Sequence, residues 1–299
     1  MELSQMENVY HALIEESDRL LESNPDATRL EALGEALIRV EKDGSYSDLR
    51  KAFQFAYLYH VKEEKVQPNH QLTPDAIGYF ISHLLQLFNK DPIRLLDAGS
   101  GTGHLSMTVK EQIEDTELFG VEVDPLLAQM NVNLCDYLEV PMDIYPQNII
   151  EPVRLPQVDA AIGDLPVGYY PLEVEGFTTA FKDERSYAHL LMLESAMSYV
   201  KDDGIGVFVV PSDMLEEKNE TIKKYLSESA TLLMFLNLPN SIFKTENQRK
   251  SIIVLKKKFS PLKNNEVLIG DIPDFKNAGQ FKHFLAQTES WYDSYANDY

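Results

Sequence analysis

The sequence predicts a doubly wound α/β fold, a mostly parallel seven-stranded sheet with helices on both faces, preceded by an all-helical region. Three observations predict it. Residues 95–103, Leu-Leu-Asp-Ala-Gly-Ser-Gly-Thr-Gly, form an apolar strand that runs into an acid and then places glycine at every second position. A second apolar strand, Phe119-Gly120-Val121-Glu122-Val123-Asp124, ends in acids as well. Beyond them, apolar strands and helical stretches keep alternating, the pattern that builds a parallel sheet with crossover helices.

Residues 1–66 are expected to form an N-terminal helical domain. Val9, Leu13 and Leu20-Leu21 recur at helical spacing, as do Leu30, Leu33, Ala36-Leu37 and Val40. Asn24-Pro25-Asp26 separates the first two helices, Asp43-Gly44-Ser45 ends the second, and a third, aromatic-rich helix is expected over Tyr46–Lys65. This block carries more apolar surface than it can bury alone, so the catalytic core, a protein partner or a second copy is expected to cover it. The character changes at Val66. Gln67–Leu72 reads as a loop, and Thr73-Pro74-Asp75 starts a helix, with Thr73 at the N-cap and Pro74 at the first helical position, that continues as Ala76–Asn89.

Residues 67–258 are expected to form the catalytic domain. Its strands are expected at 94–97, 118–123, 142–145, 158–163, 205–210, 232–237 and 251–257, and its helices at 104–115, 125–138, 184–200 and 215–228. Asn237–Gln248 holds no helix of useful length, so the last strand is expected to be antiparallel. Residues 259–299 read as an extension packed on the core, a short strand Val267–Ile269 and a helix Gln280–Tyr292.

Composition narrows the function classes. Apolar residues make up 44% and charged residues 25% of the 299, an ordinary globular balance. No apolar run reaches membrane-spanning length and the N-terminus lacks signal-peptide features, so a cytoplasmic protein without membrane association is expected. A single cysteine, Cys135, excludes an internal disulfide and a multi-cysteine zinc site. The seven histidines are scattered with no metal-binding spacing, and no metal is expected; His104 reads as a helix cap or a solvent-facing residue. With 27 Lys+Arg against 48 Asp+Glu the net charge is −21, which repels nucleic acid unless a basic stripe or a partner overrides the overall field. Lys256-Lys257-Lys258 and Lys223-Lys224 read as a solvated strand end and a solvated helix face.

The glycine loop narrows the ligand. A dinucleotide fingerprint needs G-x-G-x-x-G, but His104 or Ser106 stands where the third glycine belongs. Asp97 puts a negative charge at the lip of the loop, where phosphate is repelled and an ammonium or sulfonium is welcome. D-x-G-x-G-x-G therefore suits S-adenosylmethionine (SAM) better than NAD. In that reading Gly99, Gly101 and Gly103 let the backbone pass close under the ligand. Asp97 holds the ammonium, Glu122 accepts from the ribose hydroxyls, and Asp143, just after the third strand, accepts from the adenine amino group while Ile144 packs on its ring. The competing reading is that these glycines serve tight packing only.

A second constellation, Asp159-Ala160-Ala161-Ile162-Gly163-Asp164-Leu165-Pro166-Val167-Gly168-Tyr169-Tyr170-Pro171, follows the fourth strand. On these residues the chain resembles the class I SAM-dependent methyltransferases of the adenine-N6 type, the branch that includes the modification subunits of type I restriction systems and the small YtxK-type bacterial proteins. The resemblance spans about residues 66–258. It includes Thr73-Pro74, which matches the segment beside the methionine moiety, and Asn237–Phe243 with Ser251–Leu255, which match the closing hairpin. It implies a Rossmann-like methyltransferase fold, SAM as cofactor and an Asn/Asp-Pro-Pro-Tyr/Phe catalytic motif. Asp164 then supplies the side-chain acceptor for an amine, and Leu165 and Pro166 follow it. Leu165 keeps the carbonyl without the rigid φ of proline, Val167 replaces the stacking aromatic, and Tyr169 or Tyr170 is the candidate substitute. No basic target-recognition module is present, and Trp291 reads as a packed helix residue. Three readings follow: an adenine-N6 methyltransferase on nucleic acid, a methyltransferase for a protein side-chain amide or small amine, and a catalytically degenerate SAM-binding scaffold.

Overall fold

The structure, a computed structural model, describes residues 4–63, 70–89, 93–182, 184–215, 220–243, 249–258 and 266–297. The expected helix residues 64–65 and 216–219, the loop residues 67–69 and the linker residues 244–248 lie outside the described residues. In chain order the elements are α1 (Gln5–Ser23), α2 (Arg29–Arg39), α3 (Tyr46–Glu63), α4 (Asp75–Phe88), β1 (Ile93–Ala98), α5 (His104–Gln112), β2 (Thr116–Val121), α6 (Pro125–Leu138) and β3 (Met142–Tyr145). There follow β4 (Val158–Asp164), α7 (Ala188–Tyr199), β5 (Val200–Pro211), α8 (Glu220–Glu228), β6 (Ala230–Asn237), β7 (Lys250–Lys257), β8 (Leu268–Asp271) and α9 (Ala278–Asn297).

The sheet has eight strands in the order β3-β2-β1-β4-β5-β7-β6-β8. β1 and β5 each run parallel to β4, β2 runs parallel to β3, and β7 lies antiparallel between β5 and β6. The strand order reverses between β1 and β4, the place in a doubly wound sheet where ligands sit. The expected α/β class and the antiparallel final hairpin strand hold. The expected count of seven does not, because residues 268–271 add an eighth strand parallel to β6, from Met234↔Leu268 to Asn237↔Asp271. An exposed strand edge offers unpaired backbone groups, and the chain's own tail satisfies them.

The chain divides into two compact units, residues 1–79 with 99–148, and residues 80–98 with 149–299. In the first unit, Ser4/Glu7 and Thr28/Glu31 form capping boxes that start α1 and α2. Leu13, Leu33, Leu37, Phe53 and Ala56 are fully buried among the helices. Part of the apolar cover that this block requires comes from the same unit, while Ile38, Phe55 and Leu58 stay exposed. α2 lies on α6, where Asn133 Nδ2 donates to the Gly34 carbonyl (2.8 Å), and the Tyr46 hydroxyl donates to the Met107 carbonyl of α5 (2.8 Å). In the second unit Leu95, Leu96, Ile162, Val207, Phe208 and Ile253 form the buried sheet, and α9 packs aromatic rings on α4, with Phe80–Phe284 at 5.8 Å and Phe88–Tyr292 at 5.0 Å.

Candidate active site

The glycine loop of the first unit is held from both sides. The Gly99 and Ser100 amides donate to the Val121 carbonyl (2.9 and 3.0 Å), and the Gly103 amide closes a turn onto the Ser100 carbonyl (2.8 Å). All three glycines have positive φ, at 76°, 54° and 80°. They differ in what surrounds them. A Cβ on Gly103 would lie 2.2 Å from Asn131 Oδ1, whereas one on Gly101 would meet nothing within 4 Å. Gly103 therefore serves packing, and Gly101 leaves open space above the loop.

Glu122 ties the loop to the next strand. Its carboxylate accepts from the Gly101 amide (2.7 Å) and the Asp124 amide (2.8 Å). It is buried, and burial raises its pKa while the two amides oppose the shift. Asp124 caps α6 through the Leu126 amide (2.9 Å), and its other oxygen meets His70 Nε2 (2.9 Å).

Sequence reasoning missed the buried cluster beneath this loop. Arg50, on α3, has no exposed side-chain surface. It contacts Asp75 through both nitrogens of its fork (3.0 Å each), Glu111 (2.7 Å), the Tyr79 hydroxyl (2.9 Å) and Thr108 Oγ1 (3.1 Å). Burial presses the Arg50 pKa down, and its acidic partners more than compensate, so the net shift is upward. Asp75 is held below the usual carboxylate range by Arg50 against its own burial. His104 does not face solvent. It is 2% exposed, lies 3.3 Å from Asp75, and burial pulls its pKa down to about 4. An arginine at helical spacing near the N-terminus reads as a surface charge, and the acids that bury it are 25 and 61 residues away along the chain.

In the second unit, buried Asp97 is the penultimate residue of β1 and Asp164 the last of the neighbouring parallel strand β4, and Asp97 pairs in register with Ile162. Glycine at 163 is obligatory because a Cβ there would lie 2.6 Å from the Ala98 carbonyl oxygen. Leu165 turns its side chain fully into the core and its amide donates to the Val209 carbonyl (2.9 Å). Its own carbonyl faces the same point as the Asp164 carboxylate. Lys250, the first residue of β7 and the register partner of Pro211, places Nζ 2.5 Å from Asp164 Oδ1 and 3.2 Å from the Leu165 oxygen. Two acceptors thus converge on one nitrogen.

The segment after Pro166 doubles back on residues 186–188. The Tyr170 amide donates to the Ser186 carbonyl (2.8 Å) and the Ala188 amide to that of Gly168 (2.9 Å). Tyr169 is 59% exposed and stacks on Tyr187 (centroids 4.7 Å apart), which stacks in turn on His189 (5.2 Å). His189 is buried, and burial draws its pKa down to about 4, with Lys250 adding to the shift. Val167, at 61% exposure, leaves this stack as the aromatic surface after Asp164. At the ends of the last strands a cavity of about 640 Å³ is lined by Ser212, Asn237, Pro239, Arg249, Asp271 and Asp274.

Other expected site residues stand differently. Asp143 is not at a strand tip. It is the second residue of β3, opposite Phe119 and exposed, with half-buried Ile144 beside it; β3 ends at Tyr145, whose carbonyl accepts from the Glu122 amide (3.0 Å). The residues past the tip are Pro146, Gln147 and Asn148, and an amide so placed is the signal a search for acids passes over. α4 begins at Asp75, one residue late, and the Pro74 carbonyl accepts from the Ile77 and Gly78 amides while Thr73 is buried. The lysines of β7 and the residue after it are not a free basic stripe. Lys257 Nζ caps carbonyls of Ser198 and Val200, Lys258 those of Leu226 and Ser227, and Lys256 pairs with Asp203 (3.2 Å). Trp291 stacks on Tyr295 (5.3 Å) within α9.

The profile of the family described as N-6 DNA Methylase matches residues 50–288. The uncharacterised protein YtxK of Bacillus subtilis (strain 168) is 32% identical over 268 residues, which cover 86% of this chain and 81% of that protein. A crystal structure from Listeria monocytogenes, a candidate class I SAM-dependent methyltransferase, matches with a TM-score of 0.88 at 28% identity, covering 96% of this chain and 99% of that one. The type I restriction-modification methyltransferase subunit of Streptococcus thermophilus shares the fold, with a TM-score of 0.66 at 17% identity over 87% of this chain and 61% of that one.

Proposed function

Because the chain belongs to the N-6 DNA methylase family, we propose that it is a SAM-dependent N-methyltransferase whose acceptor is the exocyclic amino group of adenine in nucleic acid. One observation carries this reading. Asp164 Oδ1 and the Leu165 carbonyl both address a single nitrogen, at 2.5 and 3.2 Å. An aromatic amine is a poor nucleophile because its lone pair is delocalised into the ring. Accepting both of its hydrogens localises that lone pair, and a carboxylate followed by a backbone carbonyl does so without acid–base assistance.

The glycine loop fits a nucleoside cofactor, since Gly101 leaves open space where any other residue would project a side chain. Gly99, Gly101 and Glu122 would hold the nucleoside, with Gly103 packing the bend against Asn131; Asp97 and the Thr73-Pro74 segment would take the methionine end, and Asp143 and Ile144 the adenine, with Gln147 and Asn148 better placed along the chain than Asp143. When bound, the cofactor supplies a methyl group on a positively charged sulfur. Positioning then contributes most of the rate. Asp164 would orient the amine by accepting one of its hydrogens, Leu165 O and the turn at Pro166 would fix the second hydrogen bond, the proton lost on methylation would pass to water, and Tyr169, with Tyr170 beside it, would offer a flat surface to an unstacked base.

A net charge of −21 supports a second reading, in which the same acceptor pair holds a side-chain amide of a basic protein. Labelled SAM separates them. Transfer to adenine-containing single strands is expected, and Asp164→Ala should abolish it while SAM affinity stays within a few-fold. Equal transfer by wild type and variant would refute the role given to Asp164, and label in protein alone would establish the second reading.

A further inference from the structure

We propose that Lys250 is a built-in occupant of the acceptor position, a displaceable ammonium that an incoming amine must replace and that thereby sets which acceptors are taken. The inference deepens the reading of Asp164 and Leu165 as the amine's two acceptors and rests on it. Lys250 Nζ is bonded to both of them. An amino nitrogen accepted by the same two oxygens would occupy the same volume, so lysine and acceptor are mutually exclusive.

The placement is built into the sheet. Lys250 opens β7 opposite Pro211 of β5, β5 lies beside β4, and the lysine side chain crosses the end of β5 to the tip of β4. It is also mostly withdrawn from solvent, with 21% of its side chain exposed against 25% for Asp164. Lys250 is ion-paired with Asp164 for as long as no acceptor is bound. Displacement then favours an acceptor that brings two N–H donors on one nitrogen together with a flat ring for Tyr169. A base without an exocyclic amine offers no replacement for the ammonium.

The test uses the full chain and binding rather than turnover. Twelve-residue single strands of deoxyadenosine and of thymidine are titrated into wild type and Lys250→Met by fluorescence anisotropy at one salt concentration. Removing a cation weakens binding to any polyanion, so tightening would be diagnostic. We expect the variant to bind the deoxyadenosine strand at least tenfold more tightly than wild type and the thymidine strand no more tightly. Equal or weaker binding of both strands, or tightening that does not distinguish them, would overturn the inference. If the variant does not fold, wild type alone decides. Acetic anhydride should modify Lys250 more slowly than exposed Lys201, and the deoxyadenosine strand but not the thymidine strand should accelerate it; no acceleration counts against the proposal. SAM binding by calorimetry is separate from both readouts, so failure of the methyltransferase reading and failure of the lysine occupant are distinguishable.

Discussion

Two glycines of the loop, Gly101 and Gly103, share a positive φ and have opposite surroundings, and alanine at each separates structure from function. At Gly103 (φ 80°) the added Cβ would sit 2.2 Å from Asn131 Oδ1 and 2.7 Å from its Cγ. That amide cannot swing aside, since it is fully buried, donates to Ser100 Oγ (3.1 Å) and accepts from Cys135 Sγ (3.4 Å). Left-handed backbone costs a non-glycine residue about 1–2 kcal/mol, and forcing extra volume into a packed site adds about 1–3 kcal/mol. Gly103→Ala should therefore lose about 2–5 kcal/mol of stability. At Gly101 (φ 54°) only the backbone cost of about 1–2 kcal/mol applies, because nothing lies within 4 Å of the new methyl. That methyl would enter the space proposed for the cofactor. Urea unfolding followed by circular dichroism gives the stabilities, provided the m-values agree, and calorimetry gives SAM affinity. Gly101→Ala should stay folded and lose at least tenfold in affinity. Equal urea midpoints for the two variants would refute the steric argument, and wild-type SAM affinity in Gly101→Ala would refute the cradle.

Three more outcomes are expected. Arg50→Met should cost about 3–5 kcal/mol, since it strands the Asp75 and Glu111 carboxylates in a buried site; a loss under 1 kcal/mol in urea unfolding would show that the cluster is unimportant. Stability should fall between about pH 6.5 and pH 4, because buried His104 and His189 have pKa values pulled to about 4. The unfolded chain then binds protons first as pH falls, giving a slope of at most about 1.4 kcal/mol per pH unit for each histidine. Lowered Asp75 acts in the same direction and raised Glu122 against it; urea midpoints at pH 7, 5.5 and 4.5 that coincide would contradict this. Tyr169→Ala, removing an exposed ring stacked on Tyr187, should cost about 1 kcal/mol of stability or less but weaken adenine-strand binding by about 1–3 kcal/mol, and unchanged anisotropy would exclude the ring from the acceptor surface.

Local pattern made the architecture legible. Apolar strands ending in acids, helices of regular spacing and an Asn237–Gln248 connection with no helix of useful length predicted the alternation and the antiparallel β7, because each depends on neighbours a few residues apart. The ends of elements were less legible. β5 starts at Val200 rather than 205, with a register shift against β4 near Val158, and its first residues are polar enough to read as a turn. Asp143 is a different miss, since the expected bounds of the third strand, 142–145, hold and themselves place Asp143 inside the strand rather than after it.

What the chain determines by itself is chemistry within one loop: a side-chain-free bend beside acids, and an acid followed by a carbonyl after the fourth strand. Tertiary structure decided which of those groups are engaged and by what. Arg50 meets Asp75 and Glu111, β8 joins the sheet edge, and Lys250 reaches Asp164 across 86 residues of sequence. Such pairings depend on the course of the whole chain, and a charged side chain in a sequence carries no mark of the partner that will neutralise it.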